Sequence, residues 1–287
     1  MTIRELNDEG RQVWGGFELA IAGSTHIGRT RRTNQDSFDR FDDLGRGEIL
    51  LVVADGLGGH RGGEVASKMA VGALGKLCLE GEGSPSTRLL AAIERANSEI
   101  HKLASKDRTL KGMGTTVVAL LLCETGPSFV AHVGDSRLYR LRHETFEALT
   151  EDHSVVALLV RNGSITTEAA REHPQKNQIL RALGVGAEVE IDVAPLDLQA
   201  GDGLLLCSDG LYGMLPDADL KTLAEAAPDP HAEVAWMIDA ANQAGGTDNI
   251  TALVARIHQP TRPATRPTAP ARVAAWVRAL FRIEPSQ

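Results

Sequence analysis

Twice in this sequence an apolar run stops at the same signal. LLVVADGLGG occupies residues 50–59 and LLLCSDGLYG residues 204–213, each passing through a small residue into Asp-Gly-Leu, one further residue and Gly. A short aliphatic run bounded by Gly and Asp reads as a strand. A chain that does this twice sets two carboxylates at the ends of apolar strands. A strand end is rigid, and a glycine after the Asp lets backbone or ligand approach closely.

Similar runs recur as FELAIAG (17–23), EILLVVA (48–54), TTVVALLLC (115–123), PSFVAHVG (127–134), DGLLLCS (202–208) and ITALVARI (250–257). SRLYRLRHETFEALT (136–150) alternates as a hairpin partner of the strand before it. Between the strands lie helical stripes. Ala66, Met69, Ala70, Ala73 and Leu77 share a face of a helix starting near Gly63, and Leu89, Ile93, Ala96, Ile100 and Leu103 form a second. Val234, Met237, Ile238 and Ala241 form a third, with Asp229 as N-cap, Pro230 in its first turn and a stop at Gly245-Gly246. Strands joined by short turns, with helices grouped between them, predict an α+β fold of two antiparallel sheets covered by helices.

At 287 residues the chain needs no disulfide staples. Cys78, Cys123 and Cys207 are too far apart for a metal knuckle or redox pair and read as buried thiols. A net charge of −8 argues against nucleic acid as a partner. The polar opening, MTIRELNDEGRQVWGG, has no signal-peptide core, and no run reaches the length of a membrane span, so a cytoplasmic location is expected.

From Gln259 the character changes. QPTRPATRPTAPAR carries four prolines and reads as an extended linker. RVAAWVRALFRI follows, with Val273, Trp276, Val277 and Leu280 on one helical face. Residues 259–287 hold five Arg and one Glu on an otherwise acidic chain. The expected organisation is an arm (1–14), one domain (15–258), a linker (259–270) and a basic amphipathic tail (271–287). Packing on its own domain and docking to a membrane or partner are both open readings of the tail.

Four aspartates stand where an apolar strand stops or the next begins: Asp55, Asp135, Asp209 and Asp248. Asp36 lies in TRRTNQDSF, where the first strand region leads into the next. One Asp-Gly after a strand is usually a turn; the recurrence is what points to a site. Gathered carboxylates raise each other's pKa, and a divalent cation relieves them. Oxygen-only ligands select Mg²⁺ or Mn²⁺. GLGGHRGGE has the glycines of a phosphate cradle, but Arg61 breaks GxGxxG and no P-loop signature is present.

With these residues in view, the chain resembles the metal-dependent Ser/Thr protein phosphatases of the type 2C (PPM) family, bacterial type. The matching pieces run in family order: GRTRRTNQD (28–36), ADGLGGHRGGEVAS (54–67), GMGTTVVA (112–119), HVGDSRLYR (132–140), LTEDHSVVALLVRNGSIT (149–166), HPQKNQILRALG (173–184), LLCSDGLYGML (205–215) and GGTDNITALV (245–254).

The resemblance implies a four-layer αββα sandwich and a two-metal centre holding Mn²⁺ or Mg²⁺. By position, Asp55 would bridge both ions and the Gly56 carbonyl would bind one. Asp209 and Asp248 would complete the other. Asp36 would hold metal-bound water, and Asp135 with Asp209 would offer a weaker third site. Arg31 would grip the substrate phosphate, and 153–184 would be a flap beside the cleft. A metal-bridging hydroxide would attack phosphorus in phosphoserine or phosphothreonine proteins, reversing a bacterial Ser/Thr kinase, with the enzyme a monomer by default.

Two departures stand out. Gln35 is neutral where many members carry Glu, and Leu57 occupies the place of the His proposed as general acid in eukaryotic members. His60 is near in sequence, with a loop role equally open. A cysteine mechanism is excluded, because Ser84, Phe129 and Gly213 stand where a Cys-dependent phosphatase needs Arg. A pseudophosphatase would lack ligands, whereas all the core aspartates are present. A switch enzyme for one anti-anti-sigma-type phosphoprotein is the other rival. Trp236 is expected to pack near the last helical stripe. His132 and His153 are expected in structural polar roles, and Thr115 and Thr116 at a strand start near the site.

Overall fold

A strand buried on both faces carries apolar residues at every position, and this rule organises the molecule. The computed structural model describes residues 4–7, 12–14, 16–58 and 62–259. The linker beyond 259, the tail and His60 lie outside the described residues.

In chain order the strands are β1 (Arg4–Asn7), β2 (Gln12–Trp14), β3 (Phe17–His26), β4 (Asp36–Asp43), β5 (Glu48–Leu57), β6 (Gly114–Thr115), β7 (Val117–Cys123), β8 (Ser128–Val133), β9 (Arg137–Arg142), β10 (Thr145–Ala148), β11 (Asp192–Leu196), β12 (Gly203–Cys207) and β13 (Ile250–His258). The helices are α1 (Gly62–Glu80), α2 (Pro85–Lys106), α3 (Val155–Arg161), α4 (Thr167–Glu172), α5 (Asp209–Tyr212), α6 (Asp217–Ala226) and α7 (Pro230–Gln243).

One sheet runs β1-β3-β13-β12-β9-β10, with β2 also on β3; the other runs β11-β8-β7-β5-β4, with β6 on the end of β5. Every pairing is antiparallel. The side-chain period of two then sorts residues into layers. Leu51 and Val53 of β5 meet Leu19, Leu206 and Leu253 between the sheets. Leu50, Val52 and Ala54 face Ala70, Leu74, Leu89 and Ile93 of α1 and α2. On the far side Leu205, Cys207 and Val254 pack on Val234, Met237 and Ile238. The result is four layers, helices outside and two sheets within, as expected.

The helix starts follow local chemistry. The Ser84 side chain accepts the Thr87 N–H with Pro85 in the first turn of α2, and Asp229 does the same for Ala232 with Pro230 in α7. Trp236 departs from expectation, being 41% exposed. Two residues from Val234, at about 100° per residue, it falls on the opposite face from the stripe.

The hairpin expected between 127–134 and 136–150 does not form. β8 is flanked by β7 and β11, so neither edge is open to β9. The chain turns at Gly134 (φ 104°) and enters the other sheet, where β9 pairs with β10 and β12. The 1–14 region also contributes more than an arm: β1 and β2 both hydrogen-bond to β3, and Trp14 is buried with its Nε1 donating to Gly47 O (3.2 Å).

All three cysteines are free and buried. Deep between α2 and β5, Arg88 donates to Glu48 and to Cys78 O, with side chains only 3% and 7% exposed for the ion pair.

Candidate metal centre

The strand ends converge at one end of the sandwich. Asp36 opens β4 directly opposite Asp55 near the end of β5. Asp209 follows β12 as the first residue of α5, and Asp248 stands just before β13, the neighbour of β12. A Cβ on Gly210 would lie 3.4 Å from the Asp248 Cβ and 1.9 Å from Asn249 O, so glycine is required for this approach. Asp135, Asp209 and Asp248 line one cleft of about 640 Å³.

Each carboxylate is fixed by its backbone or by neighbouring hydroxyls. Asp55 N–H donates to Thr116 Oγ1 (2.9 Å), and its carbonyl accepts Thr116 N–H (2.9 Å) and the Thr115 hydroxyl (2.8 Å). Asp36 Oδ2 accepts from the Ser208 hydroxyl (2.7 Å) and the Thr251 hydroxyl (2.6 Å). Because Thr251 gives its proton to Asp36, Thr25 must donate to Thr251 (2.7 Å), while Asn34 Nδ2 donates to Thr25 (2.9 Å). The 27–35 loop is stapled by Asn249, which accepts Gln35 N–H and donates to Ile27 O and Thr33 O. This side chain explains the Asp-Asn pair at 248–249: one residue faces the cluster, the next holds the loop carrying Arg31 and Asp36.

Arg31 Nη2 meets Asp248 Oδ2 at 2.6 Å, with the Arg side chain 49% exposed. Gly56 N–H donates to Gln35 O (3.1 Å), and a Cβ at Gly56 would sit 2.2 Å from Gly63 O, so the start of α1 presses on this point. Gln35 Nε2 reaches Gly58 O (3.2 Å), an amide contact in place of a carboxylate. Leu57 is partly buried in β5 and offers no proton. Ser208, Thr251 and Asn249 had no role assigned from sequence, although each lies inside a quoted motif.

The electrostatics are those of crowded, desolvated acids. Burial, against the pull of Thr251 and Ser208, and then Asp209 and Asp248 hold the Asp36 carboxyl up to about 7. Burial and Asp248 push Asp209 up to about 6. Asp55 is raised well above the usual range by burial and then by Asp36, Asp209, Asp135 and Asp248, and Asp135 by burial and Asp209. Asp36 Oδ1, Asp135 Oδ1 and Asp209 Oδ1 are buried without a hydrogen-bond partner. Buried acceptors normally have partners. An all-oxygen cluster with orphaned acceptors and mutual repulsion fits hard divalent cations.

A pH dependence follows. For Asp36 the folded pKa of about 7 exceeds the ordinary 3.8, so between these values the folded state binds more protons and stability falls as pH rises. Asp209 acts the same way up to about 6. Chelator-treated protein should therefore lose several degrees of melting temperature from about pH 5 to about pH 7.5, and Mn²⁺ should flatten the slope. Differential scanning fluorimetry checks it; a melting temperature rising over that window would contradict the burial of these acids.

A second cluster has a different character. Ligand atoms of His132, His153 and Asp192 lie within 4.8 Å of one another. Arg181 already places its Nη1 3.1 Å from both His153 Nε2 and Asp192 Oδ1, so a cation sits there. His153 Nδ1 accepts Gly134 N–H (3.1 Å) and His132 Nε2 donates to Glu151 O (2.9 Å), which makes both rings structural ties.

Comparison with known proteins gives consistent results. The family model described as "Protein phosphatase 2C" matches residues 22–252. A serine/threonine phosphatase, stp, of Listeria innocua is 41% identical over 240 residues, covering 80% of this chain and 92% of its own length. The S. agalactiae serine/threonine phosphatase structure superposes with a TM-score of 0.76 at 37% identity, over 83% of this chain and 99% of that one. The catalytic domain of the phosphatase PstP, solved with two manganese ions, gives 0.72 at 34% identity, over 84% and 98%.

Proposed function

The chain belongs to the protein phosphatase 2C family and is a metal-dependent protein-serine/threonine phosphatase; we propose that the aspartate cluster is its catalytic centre, built for two Mn²⁺ or Mg²⁺ ions with a weaker third site at Asp135. The observation that carries this reading is the set of orphaned buried oxygens on Asp36, Asp135 and Asp209 in one cluster. Bound there, such ions lower the pKa of water toward neutrality and offset the charge on phosphate.

The chain's own residues do the rest. Asp55, the Gly56 carbonyl, Asp209 and Asp248 would hold the ions. Asp36 spends Oδ2 on Ser208 and Thr251, which fixes the carboxylate and leaves Oδ1 to accept from water. Arg31 uses one nitrogen on Asp248 and keeps the remaining donors of its planar fork for phosphate oxygens. Catalysis is then mainly positioning and charge stabilisation. With Leu57 unable to give a proton, the departing serine or threonine oxygen takes one from water in the cleft.

The substrates are phosphoproteins. We place the enzyme in the cytoplasm as a monomer opposing a Ser/Thr kinase, with its catalytic unit at 15–258 extended forward by β1 and β2. No helix among the described residues is long and apolar enough to cross a membrane. The test is turnover of phosphothreonine and phosphoserine peptides before and after EDTA. Loss of at least about 10²-fold, restored by Mn²⁺, is expected, with calorimetry counting two strong Mn²⁺ sites. Undiminished turnover after exhaustive chelation would overturn the assignment.

A further inference from the structure

The cleft beside the carboxylates is larger than a phosphate group needs. At about 640 Å³ it falls in the size range of whole-ligand sites. Its outer wall comes from α3, α4 and the turn that follows, through Val156, Val160, Ala170, Arg171 and Lys176. Met214 also lines the cleft. A phosphorylated side chain reaching the aspartates brings its flanking residues against this wall.

The charges on the wall are not equivalent. Arg137 is committed to Asp152 through two bonds (2.8 and 2.7 Å) and stacks over the Tyr212 ring at 3.7 Å. Arg161 meets Glu151 at 3.2 Å. Arg171 lies 3.7 Å from Asp217 and 3.3 Å from Tyr212 O, a loose, exposed pairing. Lys176, also exposed, makes no ion pair and no side-chain hydrogen bond among the described residues. An unpartnered ammonium and a loosely held guanidinium thus share the cleft with the apolar Val156, Val160 and Ala170, while Glu151 and Asp152 on the same cleft are met by Arg161 and Arg137.

Resting on the phosphatase reading, we propose that this cleft is a subsite for the residues flanking the phosphorylated one, and that Lys176, with Arg171 beside it, selects an anionic neighbour. The shared chemistry is an oxygen anion: an acidic side chain or a second phosphate on the same substrate segment. Asp135, Asp209 and Asp248 do not oppose this once the proposed ions offset their charge, and Glu151, Asp152 and Asp217 already face Arg161, Arg137 and Arg171. The apolar positions at Val156, Val160 and Met214 take up the aliphatic part of the segment.

The test compares kcat/KM for three phosphothreonine peptides of one length: neutral flanks, glutamates on both sides, and a second phosphothreonine in place of the nearest glutamate. p-Nitrophenyl phosphate, which has no flanks, reports the reaction itself. In the wild type the glutamate peptide should exceed the neutral one by about three- to tenfold, the range between an exposed ion pair and a charge-assisted hydrogen bond. The doubly phosphorylated peptide should exceed both if phosphate is the preferred anion. Lys176→Ala should shrink the acidic-to-neutral ratio toward one and Lys176→Glu should invert it, mostly through KM. Raised salt should narrow the wild-type ratio.

Equal kcat/KM for acidic and neutral peptides in the wild type would overturn the subsite while leaving the phosphatase reading intact. So would an acidic-to-neutral ratio unmoved by Lys176→Glu. No turnover on any substrate, p-nitrophenyl phosphate included, would instead overturn the phosphatase reading.

Discussion

Replacing Asp55 with Asn is expected to cut turnover of phosphopeptides by at least about 10³-fold, equivalent to roughly 4 kcal/mol of transition-state stabilisation. The amide matches the carboxylate in size but lacks the negative charge that the proposed metal site would draw on. The fold should survive, because Asp55 is held through its backbone, by Thr116 and Thr115, and not through its side chain alone. In chelator the variant should melt at or above the wild-type temperature. The reason is that Asp55 is desolvated and crowded by Asp36, Asp209, Asp135 and Asp248, and removing one acid relieves that crowding. Steady-state kinetics with Mn²⁺ and a melting curve in EDTA read the two halves separately. An inactive variant that melts well below wild type would mark Asp55 as a structural residue; full activity would falsify the two-metal assignment.

Arg88→Ala should be the most damaging change far from the site, costing about 3–5 kcal/mol. Arg88 ties three elements: it stands in the first turn of α2, donates to Glu48 at the start of β5, and donates to Cys78 O near the end of α1. Truncation leaves the Glu48 carboxylate buried without its counter-charge and Cys78 O without its donor. Against a typical total of about 5–15 kcal/mol, that is a large share. The double change Glu48→Leu with Arg88→Met should recover most of it, since an apolar pair of similar volume avoids the desolvation cost. Urea denaturation distinguishes the cases; a loss under about 1 kcal/mol for Arg88→Ala would mean that water reaches the pair.

Much of the fold is legible because burial on two faces leaves a plain mark. β5, β7, β12 and β13 are apolar at nearly every position, and their ends are punctuated by Asp and Gly. β4, DSFDRFDD, hides because it sits at a sheet edge with its outward positions charged. β11, DVAPL, carries a proline that only an edge strand tolerates. Alternation identified β9 as a strand but pointed to the wrong partner, the strand before it; its place depended on β11, a segment about 55 residues later, occupying the free edge of β8. In the cluster, aspartates announced themselves by recurrence. Ser208 and Thr251 did not, because small hydroxyl residues at strand ends are common, and their meeting at Asp36 depends on the β12–β13 pairing.

The thiols have a consequence of their own. Burial pushes the Cys78 sulfhydryl up to about 12 and Cys123 up to about 11, and raises Cys207 as well. Peroxide attacks the thiolate, which these side chains almost never form at neutral pH. Oxidants that silence cysteine-dependent phosphatases would therefore leave this one working, and a cell under peroxide stress would keep removing these phosphates while other dephosphorylation stops.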